Sequence, residues 1–322
     1  MRRTTLPVMV ALFCLAGNGD AQERPDTTSL RFDWPVGTVA HVEQIATRIQ
    51  ESPSRLDTTA MRSSYRLRVD DHPRGRFVHI DSFAVGPQEG DMPPGLARVA
   101  ATLGALVPSY VVSPEGDFLE LADPEGVKAA ADSLLAPFFR ELEGAPEQLR
   151  AFMANATSIP TLTASAAEEW NLLVGTWVGA EWEVGAVYEA SGEQSTPFFP
   201  GRAVRMNYEF SAVERAPCVE DGSEQDCVLL AMRVTPDSAA LESLLQEFVR
   251  TVAPEGVAEI ADVLRNTRTT NEVLVLTRPG TLQPYWLEVV KRVEVTAETG
   301  QGETTAMTVR TDRRVARFRY TR

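Results

Sequence analysis

The sequence predicts an α+β fold in which antiparallel sheets carry helices on one face, arranged as two similar halves. Alternation of apolar and polar residues marks strands, as in "MRSSYRLRV" and "AVRMNYEFSAV". Segments of helical periodicity interrupt these strands, the clearest being "TPDSAALESLLQEFVRTV". The same order of strands and helix occurs twice, and "APEGVAEIADVL" echoes "DPEGVKAAADSLL". One continuous sheet built from both halves is the alternative arrangement.

Residues 1–21 have the features of a secretory signal peptide. Two arginines precede an apolar run from Leu6 to Gly17, and small residues stand before the expected cut ahead of Gln22. The run is too short to span a membrane as a helix. We therefore expect an exported protein, periplasmic or extracellular, in which the polar residues 22–30 form a flexible leader.

Residues 31–160 form the predicted N-terminal half. After "MRSSYRLRV", the turn sequence "DDHPRG" leads into a second strand, "GRFVHIDSFAV". "SYVVSPEGDFLEL" predicts another hairpin, with Pro114, Glu115 and Gly116 at its tip. From Asp123 the pattern turns helical, because an aspartate N-cap is followed by a proline at the first helical position.

Residues 161–322 form the predicted C-terminal half, which contains a cysteine hairpin. "AVRMNYEFSAV" and "CVLLAMRV" predict two strands joined by a loop that carries Cys218 and Cys227. If Cys14 leaves with the signal peptide, these two cysteines remain, and in an exported protein we expect them to form a disulfide. Their spacing does not suit C-x-x-C redox chemistry, and no Cys/His set offers zinc ligands, so we expect no metal site. Strands from "EVLVLT" to "RRVARFRYT" end the chain.

Composition and motifs argue against several functional classes. The net charge of −14 argues against a nucleic-acid partner, and no later apolar stretch predicts a transmembrane helix. The common motifs of hydrolases, zinc proteases and nucleotide-binding proteins are missing, so we expect neither an enzyme nor a cofactor. His79 and Asp81 share one face of a predicted strand, and His41 could approach from a neighbouring strand to complete a base or a metal site. The simpler interpretation is that these side chains decorate a solvated sheet face.

Three tryptophans lie close together between the halves. "EEWNLLVGTWVGAEWEVG" carries Trp170, Trp177 and Trp182. They could form the wall of a site for an apolar ligand, or they could pack in the core, which is the more common role of buried tryptophan.

Arginines concentrate in the last predicted strand, where Arg313, Arg317 and Arg319 lie on one face. They could contact an anionic partner. The simpler interpretation is that they pair across strands with acidic residues such as Glu288 and Glu294.

Two patterns in the chain resemble a family of uncharacterised exported bacterial proteins of unknown function. One is the Ser-x-x-Gly hairpin of "PSYVVSPEGDFLEL", and the other is "WNLLVGTWVGAEWEVG" leading into "VRMNYEFSAVE". The resemblance implies no catalytic residues. The expected architecture is also similar, as an analogy, to periplasmic carriers of lipids and lipoproteins, which hold acyl chains between a half-barrel and its helices.

These observations predict a non-enzymatic exported protein that binds a lipid or another apolar or amphipathic ligand in a groove between sheet and helices. The alternative is a structural or protein-interaction module of the cell envelope that binds no small ligand. A hydrolase built from scattered carboxylates, or from His79 and Asp81, is the third hypothesis. A groove of several hundred Å³ favours the first hypothesis and a solid core favours the second.

Overall fold

The computed structural model describes residues 26–86, 108–141, 154–155, 157–195, 203–219, 226–252, 267–298 and 305–321. The predicted signal peptide, residues 1–21, lies outside these residues. Of the predicted leader, residues 26–30 are described; they include a short strand and the fully buried Leu30.

Most of the described chain is strand. In chain order the strands are β1 (Thr27–Ser29), β2 (Val39–Ser52), β3 (Arg55–His72), β4 (Gly75–Val85), β5 (Tyr110–Val112), β6 (Phe118–Leu121), β7 (Glu181–Glu183), β8 (Val187–Ser195), β9 (Ala203–Ala216), β10 (Cys227–Pro236), β11 (Thr267–Thr277), β12 (Pro284–Glu298) and β13 (Thr305–Thr321). The helices are α1 (Pro124–Glu141), α2 (Ile159–Trp170) and α3 (Ser238–Val252), and a π-helical turn (Asn171–Gly175) continues α2.

Eleven strands form one antiparallel sheet with the order β6-β5-β4-β3-β2-β13-β12-β11-β10-β9-β8. Strands β2 to β6 follow one another as neighbours, and so do β8 to β13. The two runs join where β2 pairs with β13, over a register that extends from Val39 opposite Thr321 to Glu51 opposite Val309. The first long strand of the chain therefore lies beside its last strand.

The alternating sequence of each strand gives the sheet an inner and an outer face. On β13, Ala316 and Phe318 are buried on the inner face, while Arg317 and Arg319 point to the outer face. Their neighbours on β2 follow the same alternation, because Val42 lies opposite Phe318 and His41 lies opposite Arg319.

One apolar core lies against the inner face. It is built around a set of residues that we call the plug, comprising Leu30–Trp34 and Trp170–Trp182. The short sheet of β1 and β7 belongs to this region, with Thr28 opposite Trp182. Leu121, from the β6 edge of the large sheet, belongs to this core cluster, and Tyr188, from the β8 edge, packs against the same cluster. A single sheet whose two edges contact one cluster must curl around it.

The helices begin where the sequence provides caps. Asp123 accepts a hydrogen bond from the amide of Gly126 at the start of α1, and Asp237 accepts one from Ala240 at the start of α3. Ser158 caps α2 by accepting from the amide of Thr161. Helix α1 contacts α2, α2 contacts β6, and α3 contacts β9. In the described part of the chain, no helix is both long and apolar enough to cross a membrane.

The predicted disulfide is confirmed. Cys218 and Cys227 are bonded with an S–S distance of 2.09 Å, and they join the end of β9 to the start of β10. Both cysteines are buried, and they pack against Tyr285. The bond therefore links the ends of β9 and β10 within a small apolar cluster that is separate from the main core.

The predicted fold class, α+β with two similar halves, is wrong. The described protein is mostly β, and its strands form one large sheet with a small second one. The predicted boundary after residue 160 falls inside α2. The sequence pattern identified most strands, but a local pattern does not specify that β2 pairs with β13, since the two are far apart in the chain.

Candidate functional site

The longest strands, β2, β3, β9, β12 and β13, also carry inner-face side chains that lie outside the fully buried core. Several apolar side chains there are only partly buried, in contrast to the plug, and polar ones such as Lys291, Asp312 and Arg310 lie on the same face. We call this surface the inner wall; register and alternation place on it Met61, Tyr65, Met206, Tyr208, Val289 and Val293. An apolar molecule that lay on this surface would bury part of its own apolar area away from water.

Charged residues lie at the centre of the inner wall. Arg314, on β13 opposite Val289, donates a hydrogen bond of 2.6 Å from Nη1 to Oε1 of Glu169 in the last turn of α2. Burial raises the pKa of the neighbouring Glu168 carboxyl, and the charge of Glu169 raises it further, while Lys291 and Arg314 oppose the rise. We call these four residues the charged cluster. An apolar wall that contains such a cluster suits an amphipathic molecule.

Tyr65 connects the two parts of this site. Burial raises the pKa of its hydroxyl to about 12, partly opposed by the charge of Arg314 and reinforced by that of Glu169. Its ring lies parallel to that of Phe83, with centroids 6.4 Å apart. Tyr65 is therefore a neutral, polar group at the border between wall and cluster.

The three predicted tryptophans lie in the plug, below the inner wall. Trp170 is fully buried, packs edge-on against Phe32, Trp34 and Tyr110, and donates a 2.6 Å hydrogen bond to the carbonyl of Gly116.

Trp177 is also fully buried and donates to the carbonyl of Leu172 at 3.1 Å. Trp182 is 9% exposed and packs edge-on against Tyr188, with ring centroids 4.9 Å apart. None of the three lines either of the two clefts described below. Their role as a ligand wall stays a prediction.

The outer face carries two adjoining clefts of about 560 and 710 Å³, and Glu43 and Ser64 line both. The three predicted arginines of β13 lie here. Arg313 donates to Glu288 at 2.5 Å, which is the cross-strand pair that the sequence predicted. Arg319 donates to both carboxylate oxygens of Glu43, at 3.0 and 3.2 Å. The exposure of both pairs means that they add little to stability.

His79 and Asp81 lie on the outer face of β4, as their spacing predicted, with Nε2 and Oδ2 3.5 Å apart. His41 is on β2 and is separated from them by β3. Sequence reasoning missed two neighbours: Ser109 Oγ is 3.0 Å from His79 Nδ1, and Arg66 binds the Asp81 carboxylate. Among the described residues, no group of His, Cys, Asp and Glu is arranged to hold a metal ion.

Comparisons with known proteins do not assign a family. No family model and no curated protein matches the chain. A structure of lipovitellin, described under lipid–protein interactions, has 10% identity and a TM-score of 0.41; it matches 89% of this chain, which spans a quarter of the lipovitellin chain. An outer membrane channel from Pseudomonas putida F1 has 11% identity and a TM-score of 0.18, over 90% of this chain and 98% of its own. Since both scores are below 0.5, neither structure assigns a fold or a ligand here.

Proposed function

We propose that this chain is an exported binding protein for an amphipathic ligand, held with its apolar part on the inner wall and its polar head at the charged cluster. The observation that carries the proposal is the incomplete burial of six apolar or aromatic side chains on the inner face, four of which also pack against the core cluster. Surfaces of this kind in a folded protein commonly mark binding sites. Export is supported by the signal-like N-terminus and by the Cys218–Cys227 disulfide.

The energetics suit a lipid-sized ligand. Each buried methylene contributes about 0.8 kcal/mol, so ten methylenes laid on the inner wall would contribute about 8 kcal/mol before the entropic cost of binding. Micromolar affinity needs a net gain of about 8 kcal/mol, so with an association cost of about 4 kcal/mol the chain would have to bury about fifteen methylenes. The cluster adds selectivity for the head group, because Arg314 and Lys291 offer cations and Glu168 and Glu169 offer carboxylates within one small region.

The first test is native mass spectrometry with lipid extraction on mature protein that was exported and purified without detergent. We expect a bound mass of lipid size. The second test measures binding of a fluorescent long-chain fatty acid by two matched variants. Val293→Glu places a charge on the inner wall, whereas Val290→Glu places the same charge on the outer face of the same strand; both valines are partly buried.

We expect Val293→Glu to weaken fatty-acid binding at least tenfold and Val290→Glu to leave it unchanged. Equal affinity in both variants and the parent would show that the inner wall does not bind the probe. A clean apo mass together with no fatty-acid binding would reject the proposal and favour the interaction module.

A further inference from the structure

A row of polar side chains crosses three strands on the outer face, near one edge of the sheet. Ser109 precedes β5 and lies opposite His79 of β4, because Tyr110 is paired with Val78 in the antiparallel register. Ser109 Oγ is 3.0 Å from His79 Nδ1, and His79 Nε2 is 3.5 Å from Asp81 Oδ2. A hydroxyl, an imidazole and a carboxylate thus follow one another in space, although Ser109 and His79 are 30 residues apart in the chain.

The Asp81 carboxylate is held firmly in place. Arg66, its partner on β3, donates from Nε to Oδ1 at 2.7 Å and from Nη2 to Oδ2 at 2.9 Å. Ser82 donates to Oδ1 at 2.9 Å. Such a bidentate pair restricts both position and orientation. It also keeps the carboxylate charged, since the bond to Arg66 lowers the pKa of Asp81 to about 2.

A backbone irregularity is located at the same place. The β3–β4 register shifts between Ser64 and Arg66, and Ser82 adopts a φ of 56°, which is unusual for a residue other than glycine. The bulge turns the Ser82 side chain to the same side as Asp81. Bulges and left-handed residues are enriched at functional sites.

The Ser109 hydroxyl lies within hydrogen-bond distance of two neighbours. The amide of Ile80 donates to Ser109 Oγ at 3.4 Å, and the serine hydroxyl still has its own proton to donate to His79 Nδ1, 3.0 Å away. The proposal uses the tautomer in which Nδ1 accepts from Ser109 and Nε2, 3.5 Å from Asp81 Oδ2, carries the proton. His79 has a third of its side chain exposed, so a substrate can reach this group from solvent.

We propose that Ser109, His79 and Asp81 form a nucleophilic site that hydrolyses carboxylic esters. Ser109 Oγ attacks the carbonyl carbon while its proton passes to His79 Nδ1, and Asp81 orients and stabilises the resulting imidazolium. The proton then leaves with the alcohol as the ester C–O bond breaks. Water, deprotonated by His79, cleaves the acyl-serine and restores the hydroxyl. The balance is one ester and one water to one acid and one alcohol.

A cleft of about 560 Å³ lies on the Arg66 side of Asp81. Arg66 and Ser82, which contact Asp81, line this cleft together with His41 and Arg319. Glu43 lines it as well, and the two arginines are paired with Asp81 and Glu43, so the cleft specifies no charge on the substrate and the proposal names carboxylic esters as a class. This site is on the outer face and is independent of ligand binding on the inner wall.

The experiment uses the full mature chain, a fluorophosphonate probe and p-nitrophenyl acetate. The Ile80 amide already donates to Ser109 Oγ, so it is not positioned to stabilise an oxyanion. The reagents are therefore activated ones, because reactive esters need the least oxyanion stabilisation. We expect one covalent probe adduct by intact mass, located on Ser109, and ester hydrolysis above the buffer rate. Ser109→Ala should abolish both. Ser211→Ala is the matched control, a partly buried outer-face serine on β9.

His79→Gln should slow hydrolysis by about a hundredfold, as loss of a general base does. Asp81 acts through His79 as a positioning residue, so Asp81→Asn should slow labelling of Ser109 and Asp81→Glu should restore part of the rate. Circular dichroism spectra identical to the parent establish that the variants are folded. The proposal is overturned if the parent takes no adduct, if the adduct lies on another residue, or if Ser109→Ala keeps the parent's hydrolysis rate.

Discussion

Replacing Trp170 with phenylalanine tests whether the plug is structural core. Trp170 is fully buried, packs edge-on against three aromatic rings and donates a 2.6 Å hydrogen bond to the Gly116 carbonyl. The smaller ring retains part of the packing but cannot donate. The Gly116 carbonyl thus loses a buried hydrogen bond, and a gap forms beside the remaining rings.

The magnitude follows from these two losses. A carbonyl that loses its buried partner costs about 1–3 kcal/mol. Truncating a buried tryptophan to alanine costs about 3–5 kcal/mol, of which phenylalanine recovers the larger share. We therefore expect Trp170→Phe to lower the free energy of unfolding by about 2–4 kcal/mol. With a urea dependence of about 3 kcal/mol per molar, the midpoint should fall by about 1 M.

The assay is urea unfolding followed by far-ultraviolet circular dichroism, which does not depend on the tryptophan signal. Trp286→Phe is the matched control, because Trp286 is only partly buried and lines the outer cleft of about 710 Å³. The control should shift the midpoint by a small fraction of the Trp170→Phe shift. Equal shifts in both variants, or a Trp170→Phe shift below 0.3 M, would refute the assignment of Trp170 to a tightly packed core.

Three further predictions follow from named contacts. Replacing Cys218 and Cys227 together with alanine should lower stability by about 2–3 kcal/mol through lost loop closure alone, and alkylation of the parent without reductant should find neither thiol free. Gly116→Ala should lower the free energy of unfolding by more than 2 kcal/mol, because its φ is +99° and a Cβ there would lie 2.8 Å from a phenylalanine ring carbon. Gly179→Ala is the control, since its φ is +75° but its Cβ would meet open space, and it should cost about 1 kcal/mol. Equal urea midpoints of the two variants would contradict this prediction. Tyr65 should ionise near pH 12 in a titration followed by absorbance at 295 nm. Because its pKa is higher in the folded than in the unfolded protein, its contribution to stability is present below pH 10 and is lost as the pH rises towards 12. If the Tyr65→Phe variant gave the same titration curve as the parent, the assignment would be contradicted.

The disulfide illustrates what could be predicted from sequence. Two cysteines 9 residues apart, between two segments of alternating polarity, predict a hairpin closed by a disulfide, and the structure has both the hairpin and the bond. The β5–β6 hairpin with Gly116 at its turn and the aspartate caps of α1 and α3 were predictable for the same reason. Each of these features depends on residues that are near one another in the chain.

The candidate sites were only partly predictable. The shared face of His79 and Asp81 follows from a spacing of two on a strand. Their neighbours Ser109 and Arg66 could not be found in that way, because Arg66 lies on β3 and Ser109 just before β5, and the pairing register brings both beside β4. The charged cluster has the same origin, since Glu169 and Arg314 are 145 residues apart.

The sequence by itself indicated most of the strands, which of their faces is apolar, and which cysteines pair, since these properties are set by local periodicity and short loops. Tertiary structure alone decided that the first long strand pairs with the last, which makes one curled sheet out of two expected halves. Alternation specifies which face of a strand is buried but not which neighbour it takes. That choice depends on how all eleven strands together cover the plug.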